Sequence, residues 1–148
     1  MINTALAATA LAALLAGAPG TAPPPCKPVD RDPKASVKVN TATVGSDGRQ
    51  LTVNLTYICT KGTQLAVAAA QPPRTGTAPK YERIGAGVTT PDCDGTSHTA
   101  DIIASPRKPF TGTWQRNAAA TVGANLLLVE GQCSYLLVGD VNNSMTLS

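Results

Sequence analysis

The residues best suited to chemistry gather around the single histidine of the chain. His98 lies beside Ser97, and three carboxylates are near it in the sequence: Asp92, Asp94 and Asp101. A nucleophile, a base and an orienting acid meet only in the folded protein, so sequence proximity does not define a triad. The chain also has no Gly-x-Ser-x-Gly nucleophile motif. We therefore predict that His98 braces a turn and that the protein is not an enzyme.

Acidic residues give no clearer indication of a bound metal or of sugar chemistry. Asp92 and Asp94 flank Cys93 and could offer oxygen atoms to calcium, but the further ligands of a calcium-binding loop are absent. Glycoside hydrolysis needs two carboxyl groups across a cleft, and nothing links Glu82 to Glu130. The sequence predicts no metal and no cofactor.

Four cysteines are spread along the chain, at Cys26, Cys59, Cys93 and Cys133. Zinc sites bring their ligands in closely spaced pairs, so this spacing favours disulfides, which form outside the cytosol. Four cysteines allow three pairings. An immunoglobulin-type bond would join Cys59 to Cys133 by strand count, but the tryptophan that usually lies between such cysteines is missing, because Trp114 comes too late.

The start of the chain predicts export. Residues 1–15 are apolar and uncharged, too few to span a bilayer but typical of a signal-peptide core, and residues 16–22 are small and helix-breaking. No basic residue precedes the run, and a buried Ala-rich helix is the alternative interpretation. Three prolines before Cys26 exclude the small-residue motif of a lipoprotein. We predict a signal peptide at 1–22, a secreted location and no stable membrane anchor.

The mature part reads as a Pro-rich linker, 23–34, and one β domain, 35–148. Apolar alternation and turn residues predict strands at 36–44, 50–60, 64–70, 81–88, 97–104, 117–129, 133–141 and 144–147. Ile84 and Val88 are expected to point inward, and Pro106 and Pro109 to end the fifth strand. This pattern favours an antiparallel, immunoglobulin-like β-sandwich of about seven strands, although 117–129 could alternatively be a helix.

Several short motifs resemble a family of secreted actinobacterial domains of unknown function. They are Thr56-Tyr57-Ile58-Cys59, Cys93-Asp94-Gly95 followed by His98, and Pro109-Phe110-Thr111-Gly112. The resemblance covers about residues 36–131 and implies an exported immunoglobulin-like domain with a Cys59–Cys93 bond. Cys26 and Cys133 lie outside the shared pattern and would form the second bond. The resemblance implies no activity.

Charge and composition narrow the possible partners. The net charge of +3 is scattered and aromatic residues make up only 3% of the chain, which argues against nucleic-acid binding. We expect an extracellular binding module whose loops, 71–79 and 105–116, contact a protein or glycan, with Phe110, Trp114 and Arg116 as anchors. The alternatives are a structural envelope or surface protein without a specific ligand and, more remotely, a small secreted hydrolase.

Overall fold

Seven β-strands make up the fold in a computed structural model, which describes residue 22 and residues 24–73 and 83–148. The described residues contain no helix, and hence none long and apolar enough to span a membrane. The strands are β1 (Ser36–Val44), β2 (Leu51–Ile58), β3 (Gln64–Gln71), β4 (Arg83–Thr89), β5 (Ser97–Thr111), β6 (Ala119–Glu130) and β7 (Cys133–Thr146). The predicted all-β fold is confirmed. Apart from Ala22, the predicted signal peptide lies outside the described residues.

One continuous antiparallel sheet contains all seven strands, in the order β1-β2-β5-β4-β3-β6-β7. It curls into a half-barrel that brings β1 and β7 together, and the two neighbours of β5 pair with different halves of that strand. The first half of β5, up to Ala104, pairs with β2, and its second half pairs with β4. The immunoglobulin-like classification stays a prediction.

The core fills the inside of this curl. In β2 every second residue is buried, from Leu51 to Tyr57, which is the face predicted from the alternation. The same period of two in β6 buries Val122, Leu126 and the small Ala124 between them, so this segment is a strand rather than the alternative helix. Most of the core is aliphatic, and Trp114 and Tyr57 are its only buried aromatic side chains among the described residues.

The C-terminal residues close one end of the half-barrel. The backbone N–H of Val44 donates to the carbonyl of Ser148 at 2.7 Å, and the N–H of Ser148 donates to the carbonyl of Ala42 at 3.0 Å. The first strand of the sheet is thereby joined to the residues that follow the last one.

Two disulfides tie the remaining segments to the sheet. Cys26 is bonded to Cys133 and Cys59 to Cys93, which are the pairs favoured from the sequence. The linker forms no strand between residues 24 and 34, but the first bond holds it at the start of β7. Its buried Asp32 accepts a hydrogen bond from the backbone N–H of Thr60 at 2.6 Å.

Two details of the predicted strands were wrong. In β4 the buried positions are Arg83 and Gly85, whereas Val88 is 59% exposed and Ile84 only half-buried. The prolines do not end the fifth strand, since β5 continues to Thr111. Beyond Ala104 the β2 side of β5 has no partner strand, and such a free edge tolerates residues that lack an N–H donor.

Candidate functional site

The histidine cluster forms a braced turn beside the Cys59–Cys93 bond. Oδ1 of Asp94 accepts hydrogen bonds from the N–H and the hydroxyl of Thr96, at 2.8 and 2.7 Å, and lies 2.9 Å from Nε2 of His98. The hydrogen bonds from His98 and Thr96 hold the pKa of Asp94 well below its ordinary value. The ring of His98 stacks on Tyr57, with centroids 5.6 Å apart. These contacts fix the turn that enters β5.

Ser97 and Asp101 do not join this cluster. They lie on the solvent side of β5, where Asp101 accepts a hydrogen bond from the side-chain amide of Asn54 at 2.7 Å. His98 is on the opposite face of the strand, because successive side chains alternate. No group of three or more His, Cys, Asp and Glu side chains within the described ranges could hold a metal ion.

Trp114 is not available as a binding anchor, which corrects the expectation from the sequence. It is 4% exposed and belongs to the core. Its backbone N–H donates to the carbonyl of Gly48 at 2.8 Å, and its ring lies directly over Gly85, where a Cβ would be 2.9 Å from Cζ2. The loop folds back and uses its indole to cap a core that is poor in aromatic residues.

Of the other two expected anchors, only the side chain of Arg116 lies within the described part of the structure. Phe110 lies in β5, and its side chain is outside the described part of the structure. Arg116 uses Nη2 to donate to the carbonyls of Val44 and Gly45, at 3.0 and 3.4 Å, so it braces the turn after β1. Residues 105–111 belong to β5 rather than to a loop, and residues 74–79 of the other expected loop lie outside the described residues.

An open groove of about 770 Å³ crosses the outer face of β4, β3, β6 and β7. Its floor is formed by the outward alanines of β3, Ala66, Ala68 and Ala70. Strand pairing places Ala66 between Val88 on β4 and Asn125 on β6, and Ala68 between Ala86 and Gly123. The groove therefore runs along β3.

Larger apolar side chains stand at the sides of this groove. Val88 on β4 is 59% exposed and Val141 on β7 is 61% exposed, and Ile84 lies farther along β4. The groove is three strand spacings wide from β4 to β7, or about 14 Å, and about 20 Å long over residues 64 to 70. The volume of the groove is within the range of small-ligand sites, about 300–1,000 Å³.

Polar groups are few and unevenly placed along the groove. Gln64 and Asn125 lie towards one end, and Thr121 pairs with Ala70 towards the other. Arg107 follows Pro106, which pairs with Gly85 near the start of β4. The guanidinium of Arg107 therefore also lies towards the Ala70 end of the groove. None of the described lining residues is acidic.

The sequence carried a signal for this groove that the period-two interpretation did not use. In β3 both faces are apolar, with Leu65 and Val67 buried and the alanines outside. A strand buried on one face only normally presents polar residues to water. In β4 the larger aliphatic residues lie on the outer face, which misled the assignment of its inner face.

Comparison of the chain with protein-family models, with curated proteins and with solved structures found no match in any of the three.

Proposed function

We propose that this protein is an extracellular, non-catalytic binding module whose ligand lies in the alanine-floored groove. The observation that carries the proposal is the groove itself: an open apolar trough on the outer face of a sheet whose other half is polar outside except at Ile103. Contiguous exposed apolar surface of this kind marks interaction sites in soluble proteins. The proposal moves the binding surface from the loops, where Trp114 is buried, to the sheet.

The cross-links support the proposed location. Two disulfides with no free cysteine fit an oxidising compartment, and both join segments far apart in the sequence. The signal peptide and the resemblance to secreted actinobacterial domains stay predictions that agree with this location.

Blocking the groove from outside tests the proposal. Ala68 is exposed at the centre of the floor, so Ala68→Trp would fill the groove without entering the core. Thr99→Trp places the same side chain at an exposed position on the opposite half of the sheet and serves as the matched control. Folding of each variant is checked by circular dichroism and by the mass of the oxidised chain.

The measurement is native mass spectrometry of the secreted, oxidised protein, to detect molecules retained through purification. A ligand retained by the wild type and by Thr99→Trp but lost from Ala68→Trp would support the groove. The same retained set in all three proteins would contradict it and favour the structural-protein alternative.

A further inference from the structure

We infer that the groove binds a free, single-chain amphiphile with a carboxylate head, its alkyl chain along β3 and its head at Arg107. This inference rests on the proposed function and names the chemical class of the ligand.

The floor of the groove suits an alkyl chain. β3 is paired on both sides, with β4 and β6, so its backbone donors and acceptors are used within the sheet. Its outward side chains from Ala66 to Ala70 are methyl groups. A ligand lying there meets apolar surface that offers no hydrogen bond, and it gains free energy by removing that surface from water.

The charge distribution selects the head group. Arg107 is exposed and forms no hydrogen bond or ion pair with another residue in the described part of the chain. A guanidinium pairs with a carboxylate through two parallel hydrogen bonds. At the far end, Gln64 and Asn125 are neutral, so an anionic head is favoured at the Ala70 end alone.

The size of the face argues against a folded protein as the occupant. The groove covers about 300 Å² in projection, from the strand spacing and rise. A stable protein interface needs about 800 Å² from each partner. A single chain of about 20 Å can fill the same trough lengthwise.

Titration with two amphiphiles of equal chain length tests the inference. Dodecanoate and dodecyltrimethylammonium, each below its micelle concentration, are added to the oxidised protein and followed by amide chemical shifts and calorimetry. We expect dodecanoate to shift the amides of residues 66–70 and 84–88 and to bind about tenfold more tightly than the cation. That ratio corresponds to one charge-assisted pair.

Variants separate the head from the chain. Arg107→Gln is expected to weaken the binding of dodecanoate about tenfold and to leave the affinity for the cationic amphiphile unchanged. Ala68→Trp is expected to abolish binding of both, and Thr99→Trp of neither. Should Ala68→Trp not fold, Arg107→Gln, at an exposed position, still decides the question.

Three results would overturn the inference. Equal affinities for the two amphiphiles, unchanged in Arg107→Gln, would show an apolar groove without head-group selectivity. Binding to vesicles of anionic phospholipid without binding of free dodecanoate would identify a membrane surface instead. Concentration-dependent dimerisation in sedimentation, lost in Ala68→Trp, would assign the groove to a second copy. The first and third of these results leave the groove as a binding surface, and failure of the proposed function itself is judged separately, by the retained-ligand comparison.

Discussion

The carboxylate of Asp140 on β7 accepts a hydrogen bond from the backbone N–H of Val39 on β1, at 2.8 Å. These are the last and first strands of the sheet, and the bond falls where β1 has a bulge between Val39 and Thr41. Edge strands carry unpaired donors that invite association with other chains. Here a side chain satisfies one of those donors and holds the two edges together.

Removing this carboxylate is expected to weaken the closure of the half-barrel. Asp140→Ala leaves the partly buried N–H of Val39 without its acceptor, which costs about 1–3 kcal/mol of unfolding free energy. Asp140→Asn keeps an acceptor oxygen and should lose less. Urea unfolding measures both, with Glu130→Ala, at an exposed position, as control. An unchanged midpoint for Asp140→Ala would show that the bond contributes nothing.

The disulfide that closes the shorter loop is expected to contribute more to the free energy of unfolding than the one that closes the longer loop. The sequence separations are 107 for Cys26–Cys133 and 34 for Cys59–Cys93. By lowering the conformational entropy of the unfolded chain, these cross-links would stabilise the fold by about 4.8 and about 3.8 kcal/mol. Removing the Cys26–Cys133 bond also lets the exposed linker move in the native state. The entropy gained there offsets part of the stability that is lost with this bond. Cys59, by contrast, is fully buried, so its truncation removes core contacts as well.

We therefore expect the double variant Cys26→Ala/Cys133→Ala to lose about 2–3 kcal/mol and Cys59→Ala/Cys93→Ala about 4–5 kcal/mol. Denaturant unfolding of both double variants, followed by the emission of buried Trp114, gives the comparison. A larger loss for the first pair would mean that the linker stays ordered without its bond.

Acid is expected to destabilise the protein through Asp32. The hydrogen bond from the N–H of Thr60, assisted by those of Lys34 and Lys61, holds the pKa of Asp32 below its ordinary value. A carboxyl with a lowered native pKa stabilises the fold above its unfolded pKa, about 3.9, and this contribution is lost as the pH falls below that value.

Asp32→Asn should accordingly be less stable than the wild type at pH 7, and the difference should shrink towards pH 2. Urea midpoints measured from pH 7 to pH 2 test this. Parallel curves for the two proteins over the whole range would contradict the assignment.

Two strand glycines are expected to respond oppositely to alanine. A Cβ at Gly87 would lie 2.1 Å from the carbonyl oxygen of Ile103, so Gly87→Ala must push β4 away from β5 and should cost about 1–3 kcal/mol. At Gly123 the nearest atoms are 3.5 Å away, and Gly123→Ala should be neutral or slightly stabilising because it restricts the unfolded chain. Thermal unfolding of both variants, compared with the wild type, checks the contrast.

The sequence predicts those parts of the fold where one strand face is apolar and the other polar. The bounds of β1, Ser36–Val44, and the buried face of β2 follow from alternation, although the bulge between Val39 and Thr41 shifts the buried positions of β1 by one residue. The phase of β4 could not be predicted, because Ile84 and Val88 face the groove while Arg83 points inward. Apolar alternation shows that a strand has two unlike faces, but it does not show which one the core covers.

The candidate site was harder to predict, for a related reason. Trp114 was expected at the surface because it lies in a loop. Its side chain is instead buried, where it fills a core that has few other aromatic residues. The groove residues Ala66 and Ala68 look like ordinary small residues in the sequence. They form a groove only with neighbours 18 to 59 positions away, which strand pairing brings alongside. Arg107 becomes notable only once that floor is in place.

The Cys26–Cys133 bond also changes how the domain would carry mechanical load. A pull between the linker and the C-terminal end passes from Cys26 through the sulfur atoms into Cys133 and along β7. Residues 27–132, which include the other six strands, lie inside a covalent loop, so the pull cannot extend them. Only the 133–148 segment lies in the path of the pull, and its full length as a straight chain is about 50 Å. The domain would behave as a short tether whose length under force is limited by its last strand.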